Sequence, residues 1–183
     1  MSVTELRALG RRACFGVVAL SLVLAAGALR AEPKTPAPPE AAALAGQHPA
    51  AYYRSAAQLF GAGKKDAAVF VFYLGQLRYR THLLARGKDL KPDGDPALFA
   101  SLTEVVGRPV NEYAFGDVTA LARTIDAVLA YDAANPDAFT PPREYAAATK
   151  SIRDGLAALR AQVVAQADSI RAQRSKNGLE NRK

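Results

Sequence analysis

The chain has no tryptophan, one methionine and one cysteine in 183 residues. That cysteine, Cys14, lies inside the N-terminal apolar run. A chain cleaved after the run would have none. Disulfides, cysteine-ligated zinc and thiol catalysis are then excluded, and stability has to come from an ordinary hydrophobic core. Histidine is almost as scarce. His48 and His82 are far apart in sequence and fall in no metal-ligand spacing; His48 reads as lying just outside the first helix of the domain, and His82 as a solvated or satisfied helix residue. There is no H-E-x-x-H and no G-x-S-x-G. "QLFGAGKK" lacks the first glycine and the Ser/Thr of a phosphate loop, so it reads as a helix turn. "DLKPDGDP" lacks the residue order and the terminal Glu of a calcium loop, so it reads as a turn and an N-cap. No metal and no cofactor is expected.

An excess of one charge sign is missing from the body as well. The net charge is +7, but residues 1–31 carry four basic residues and one acid, and residues 171–183 carry five and one. What remains, residues 32–170, holds 15 of each. A body without net charge has no electrostatic footprint for nucleic acid.

What is present at the N terminus resembles an export signal. Arg7, Arg11 and Arg12 precede the apolar run "ACFGVVALSLVLAAGAL", and small residues offer cleavage after Ala28 or Ala31. The run falls short of the about 20 apolar residues of a membrane span; an uncleaved anchor is the alternative. Either way the remainder is expected outside the cytoplasm, periplasmic or secreted. Residues 32–46 form a Pro/Ala-rich stretch expected to be extended and solvated. A helical domain is predicted over 47–175, and a disordered basic tail over 176–183.

Apolar periodicity predicts an all-α fold, an irregular bundle of about five helices. The first carries Tyr52, Ala56, Leu59 and Phe60. The second runs from about Asp66 to Ala85. The third opens at Asp95-Pro96, buries Leu98, Phe99, Leu102, Val105 and Val106, and is stopped by Gly107 and Pro109. Asp117 caps the fourth, which buries Val118, Leu121, Ala122, Ile125, Val128 and Leu129. The fifth extends from about Pro142 to Ser175. "AVFVFYL" has high β-propensity, but the helical stripe continues past it.

Residues 52–75 resemble one tetratricopeptide or Sel1-like helical hairpin. Tyr52 and Ala56 fit its first helix, Leu59 and Gly63 its end and turn, and Ala68, Phe72 and Gly75 its second helix. Ser55 and Arg80 depart from the pattern, and no second copy follows, because Arg86 and Leu102 would replace Tyr52 and Ala68. The resemblance implies hairpin geometry and the family's habit of binding peptides or proteins. It transfers no contact residue.

On a helical wheel Arg80 and Gln76 share the stripe of Val69, Tyr73 and Leu84, so Arg80 is expected to emerge from an apolar face and pair with Glu104 or Glu112. "GRPVNEYAFGD" reads as a loop that mixes charge with aromatics. Gln76, Arg80, Asn111, Glu112 and Tyr113 are therefore the candidate binding residues; the plainer alternative is that Arg80 and Gln76 only tie this loop to the core. Two functions are carried forward. One is an exported, non-catalytic interaction module that binds another envelope or secreted protein, as adaptor, inhibitor or immunity-type protein. The other is an envelope glycan- or peptide-processing enzyme using Glu104 and Glu112. Membrane contact is expected only through a retained N-terminal segment, although the basic tail could touch anionic envelope components.

Overall fold

A computed structural model describes residues 35–182; the signal segment lies outside the described residues. The described chain is all-helical, with no strand. In order it forms α1 (Pro39–Ala43), α2 (Ala50–Gly61), α3 (Lys65–Arg86), α4 (Asp95–Leu102), a π-helical turn (Thr103–Gly107), α5 (Arg108–Ala114), α6 (Val118–Ala134), α7 (Ala146–Ala165) and α8 (Ala167–Lys176). Among the described residues no helix is long and apolar enough to cross a membrane.

α3 is the hub, packing against α2, α5, α6 and α7. Its first half is buried on every side: Ala68 to Leu74 lie in the core without interruption. That all-round burial explains how "AVFVFYL" stays helical. Each side chain meets a neighbouring helix, and tertiary packing overrides β-propensity. α2 and α3 join at Gly63, whose φ of 78° belongs to the left-handed region that suits glycine. The two helices close tightly at Gly75, where an added Cβ would stand 2.4 Å from the Tyr52 Cβ.

Several expectations need correction. The Pro/Ala-rich stretch is not extended throughout. Pro39–Ala43 forms a helical turn with Pro39 at its start, Ala41 and Leu44 are buried, and the Leu44 carbonyl accepts a hydrogen bond from the Tyr52 hydroxyl at 2.8 Å. The folded domain therefore begins well before Gln47. The chain expected to loop after Gly107 stays helical instead. Pro109 cannot donate to the carbonyl four residues back and crowds it. The preceding turn widens to π geometry, which absorbs the conflict without ending the helix. Gly107 lets that turn lie on Phe72, whose ring atoms would sit 3.0 and 3.2 Å from an added Cβ.

The extra residue in the π turn also shifts the helical phase. Val106 lies in the core as expected and Val110 joins it, whereas Val105, expected inside, faces solvent; Leu98, ahead of the π turn, is also exposed against expectation. α6 begins as predicted, with the Asp117 carboxylate accepting from the Ala120 N–H at 2.8 Å. The last long helix starts at Ala146 rather than Pro142 and breaks at Gln166, so α7 and α8 are separate.

The C-terminal tail is docked rather than disordered. Arg182 lies over the Tyr113 ring, 3.5 Å from its centroid, and donates to the Tyr113 carbonyl at 2.9 Å. Arg174 donates to the carbonyls of Glu112 and Glu180. These cations sit where α5 ends and its carbonyls are free to accept. A chain ending at Gly178 is expected to lose about 1 kcal/mol of unfolding free energy, the scale of one exposed cation–π contact. Chemical denaturation checks this, and an unchanged midpoint would show that the tail adds nothing.

Candidate functional site

A buried polar cluster, a half-buried one and several surface grooves surround α3. The deepest cluster centres on Arg78, not on Arg80. Arg78 is 2 % exposed. Its Nε donates to Asp132 Oδ1 at 3.2 Å, its Nη2 donates to the Asn135 carbonyl at 2.7 Å, and its Nη1 donates to the Tyr52 hydroxyl. Asp137 stands 4.0 Å from Nη1 and accepts from the backbone N–H groups of Phe139 and Thr140. The other oxygen of Asp132 receives Arg153 of α7, at 2.8 Å from Nε and 2.6 Å from Nη2. One α6 carboxylate thus joins α3 to α7. Burial pushes the Tyr52 phenol up and outweighs the opposing Arg78 charge. Burial also pushes the Asp137 carboxyl up against the same Arg78 charge.

Arg80, expected to be the buried cation, is exposed. Its guanidinium lies over the Phe99 ring at 5.3 Å, and among the described residues it forms no ion pair. The wheel misplaced it because the first half of α3 is buried on all sides and gives no direction. In the second half the buried residues are Leu74, Gly75, Leu77, Arg78, Tyr79, Thr81 and His82, a broad face centred on Arg78 with Arg80 on the opposite side. Leu84, which anchored the other stripe, is 55 % exposed.

The expected acid partners are elsewhere too. Glu104 pairs with Arg108 one turn along, both exposed. The exposed Glu112 lines a groove of about 310 Å³ with Phe60, Lys65, Tyr113 and the docked tail. Asn111 has a packing role, because its Oδ1 accepts from the buried Tyr73 hydroxyl at 3.0 Å and so ties α5 to α3. The Tyr113 hydroxyl donates to Asp66 at 2.9 Å. The candidate binding residues therefore divide into two sets.

Gln76 and Arg80 form the other set. They edge a groove of about 300 Å³ between α3 and α7, floored by Leu77, Ile152, Leu156 and Leu159. Gly155 keeps it wide, for an added Cβ there would meet nothing within 4 Å. An apolar floor with one cation at its lip suits an apolar side chain flanked by a carboxylate.

The second polar cluster lies at the far end of α3 and joins residues that the sequence keeps apart. Asp95, the first residue of α4, accepts at Oδ1 from His48 Nε2 (3.1 Å) and at Oδ2 from His82 Nε2 (2.9 Å). The Tyr79 hydroxyl reaches the Asp95 carbonyl at 3.2 Å and Oδ1 at 3.3 Å. Phe139 packs edge-on to His48, 4.9 Å between centroids, and tilted against His82 at 5.1 Å. His48 Nδ1 accepts from the Ala50 N–H at 3.1 Å, which places the ring proton on Nε2. Burial works to raise the Asp95 pKa, but the hydrogen bonds from His82 and His48, with the charge the two rings can carry, hold it below the ordinary carboxylate value. Linear spacing does not show this cluster, because its three residues come from three different parts of the chain, before α2, in α3 and at the start of α4.

No family model, curated protein or solved structure matches this chain, so its function has to be read from the clusters and grooves themselves.

Proposed function

We propose that the chain is an exported, non-catalytic helical interaction module of the bacterial cell envelope, and that the α3–α7 groove is its docking face. The observation that carries this reading is the Arg80 guanidinium, exposed at the lip of an apolar groove and without a carboxylate among the described residues. The Phe99 ring holds one face of this guanidinium but supplies no carboxylate, whereas a partner segment with an acidic residue next to a Leu- or Phe-like side chain gains from both the charge and the apolar floor. An adaptor, an inhibitor and an immunity-type protein would all use such a face. The single helical hairpin, of the type that resembles tetratricopeptide and Sel1-like repeats, is consistent with this use.

The enzymatic alternative has less to draw on. Glu104 is engaged by Arg108 on an open face, and Glu112 lies in a separate groove beside the tail. General acid–base work on a glycosidic bond needs two carboxyl groups facing one substrate.

Affinity capture from envelope extracts tests the proposal, with wild type, Arg80→Glu and Glu112→Ala as baits. A partner retained by wild type and Glu112→Ala but lost at least about tenfold by Arg80→Glu is expected, the scale of one charge-assisted hydrogen bond. Recovery that survives Arg80→Glu unchanged would remove the groove from the account.

A further inference from the structure

His48, His82 and Asp95 present two imidazole nitrogens and a carboxylate that lie within 4.8 Å of one another. We propose that these three side chains form an open binding site for a divalent transition-metal ion of the zinc type. The donor set selects the class of ion. Two imidazoles and one carboxylate suit zinc and its borderline neighbours, whereas calcium and magnesium require oxygen. Three protein ligands leave a tetrahedral ion one position for water. Solvent reaches that position, because the side chains of His48 and Asp95 are 34 % and 23 % exposed.

The surroundings hold the ligands in place. Phe139 packs against both rings, and Tyr79 fixes the carboxylate from the side of α3. His48 Nε2 stands 3.1 Å from Oδ1 and His82 Nε2 2.9 Å from Oδ2, each close to the separation of neighbouring ligands on a tetrahedral ion with bonds of about 2.0 Å; a turn of the carboxylate brings one oxygen to both nitrogens, since one ligand atom from each residue already lies within 4.8 Å of the others. In the metal-free protein, N–H···O bonds keep these side chains together; an ion takes over that role through the two Nε2 atoms and one carboxylate oxygen.

Two proton shifts must accompany binding. With both Nε2 atoms on the metal, each ring carries its proton on Nδ1 instead, and at His48 the hydrogen bond from Ala50 is given up. Ala50 itself is buried, so giving up that bond leaves its N–H short of an acceptor, a cost that the metal–nitrogen bond has to exceed. The site therefore predicts its own signature: occupancy disturbs the Ala50 amide, which no ligand atom touches.

The full-length protein without a polyhistidine tag is titrated with Zn²⁺ by calorimetry and with Co²⁺ by visible absorption, beside His82→Gln and Asp95→Asn. Gln at 82 keeps an N–H donor for Asp95 but removes the imidazole, so folding and ligation are separated. Expected are one ion per chain, Co²⁺ ligand-field bands in wild type, at least tenfold weaker Zn²⁺ binding in both variants, an unchanged unfolding midpoint in metal-free His82→Gln, and a shifted Ala50 amide resonance on adding Zn²⁺. The proposal is overturned if wild type does not bind, if both variants bind as tightly as wild type, or if Zn²⁺ leaves the Ala50 amide unmoved.

Discussion

Arg78→Ala is expected to lower the unfolding free energy by about 3–5 kcal/mol, the cost of breaking a buried ion pair from one side. The reason lies less in the attraction lost than in what is left behind. Asp132 would keep Arg153, but Asp132 Oδ1, the Asn135 carbonyl and the Tyr52 hydroxyl would lose their shared donor inside the protein. Buried acceptors without donors carry their full desolvation penalty. Asp137, already pushed up by burial, would lose the charge that opposes the push. Arg78→Lys should recover little, because one ammonium cannot span three acceptors that a planar guanidinium reaches at once. Urea unfolding followed by far-UV circular dichroism measures all of this. A loss below about 1 kcal/mol, the range of an exposed pair, would mean that the cluster is solvated rather than structural.

The second large effect comes from a methyl group. Gly75→Ala is expected to cost about 3 kcal/mol, at the upper end of overpacking penalties. Alanine normally favours a helix over glycine by about 1 kcal/mol, so the sign here is set by packing alone. The new Cβ would stand 2.4 Å from the Tyr52 Cβ and 3.6 Å from its Cα. No rotamer change moves a Cβ, so α2 and α3 would have to separate. Tyr52 is also tied at its hydroxyl to Leu44 and Arg78, and the displacement would pull on both. Gly155→Ala supplies the contrast. Its Cβ would meet nothing within 4 Å, and about 0.5–1 kcal/mol of stabilisation is expected. If both alanines shifted the unfolding midpoint in the same direction, the close approach of α2 and α3 would be refuted.

Helices whose apolar positions follow one uninterrupted period were legible from sequence. α6 shows this best, since its Asp117 cap and its buried Val118, Leu121, Ala122, Ile125 and Val128 all follow from spacing. The failures have separate physical causes. Pro109 and Gly107 are strong stop signals, yet a π turn lets the helix run through them, and its phase shift turns Val105 outward while Val106 stays inside. α1 is one turn long, too short to show a period, and it is held by Leu44 and Tyr52 rather than by its own sequence. The wheel misplaces Arg80 because a segment buried on all sides has no amphipathic direction to extrapolate. The His48–His82–Asp95 cluster was illegible for a plainer reason: its members are brought together by the packing of three elements, and spacing along the chain carries no trace of that. The docked tail depends likewise on Tyr113, whose aromatic face receives Arg182 from the other end of the sequence.

The carboxylate of Asp132 has a consequence for how the molecule comes apart. It is gripped from α3 on one side and from α7 on the other, by residues distant from it along the chain. A fluctuation that peels α7 from α3 must strand at least one guanidinium or the acid away from its counterpart, so partial opening at this seam carries the penalty of a broken, largely buried ion pair. The domain should therefore behave as a single cooperative unit, its halves locked by charge as well as by oil.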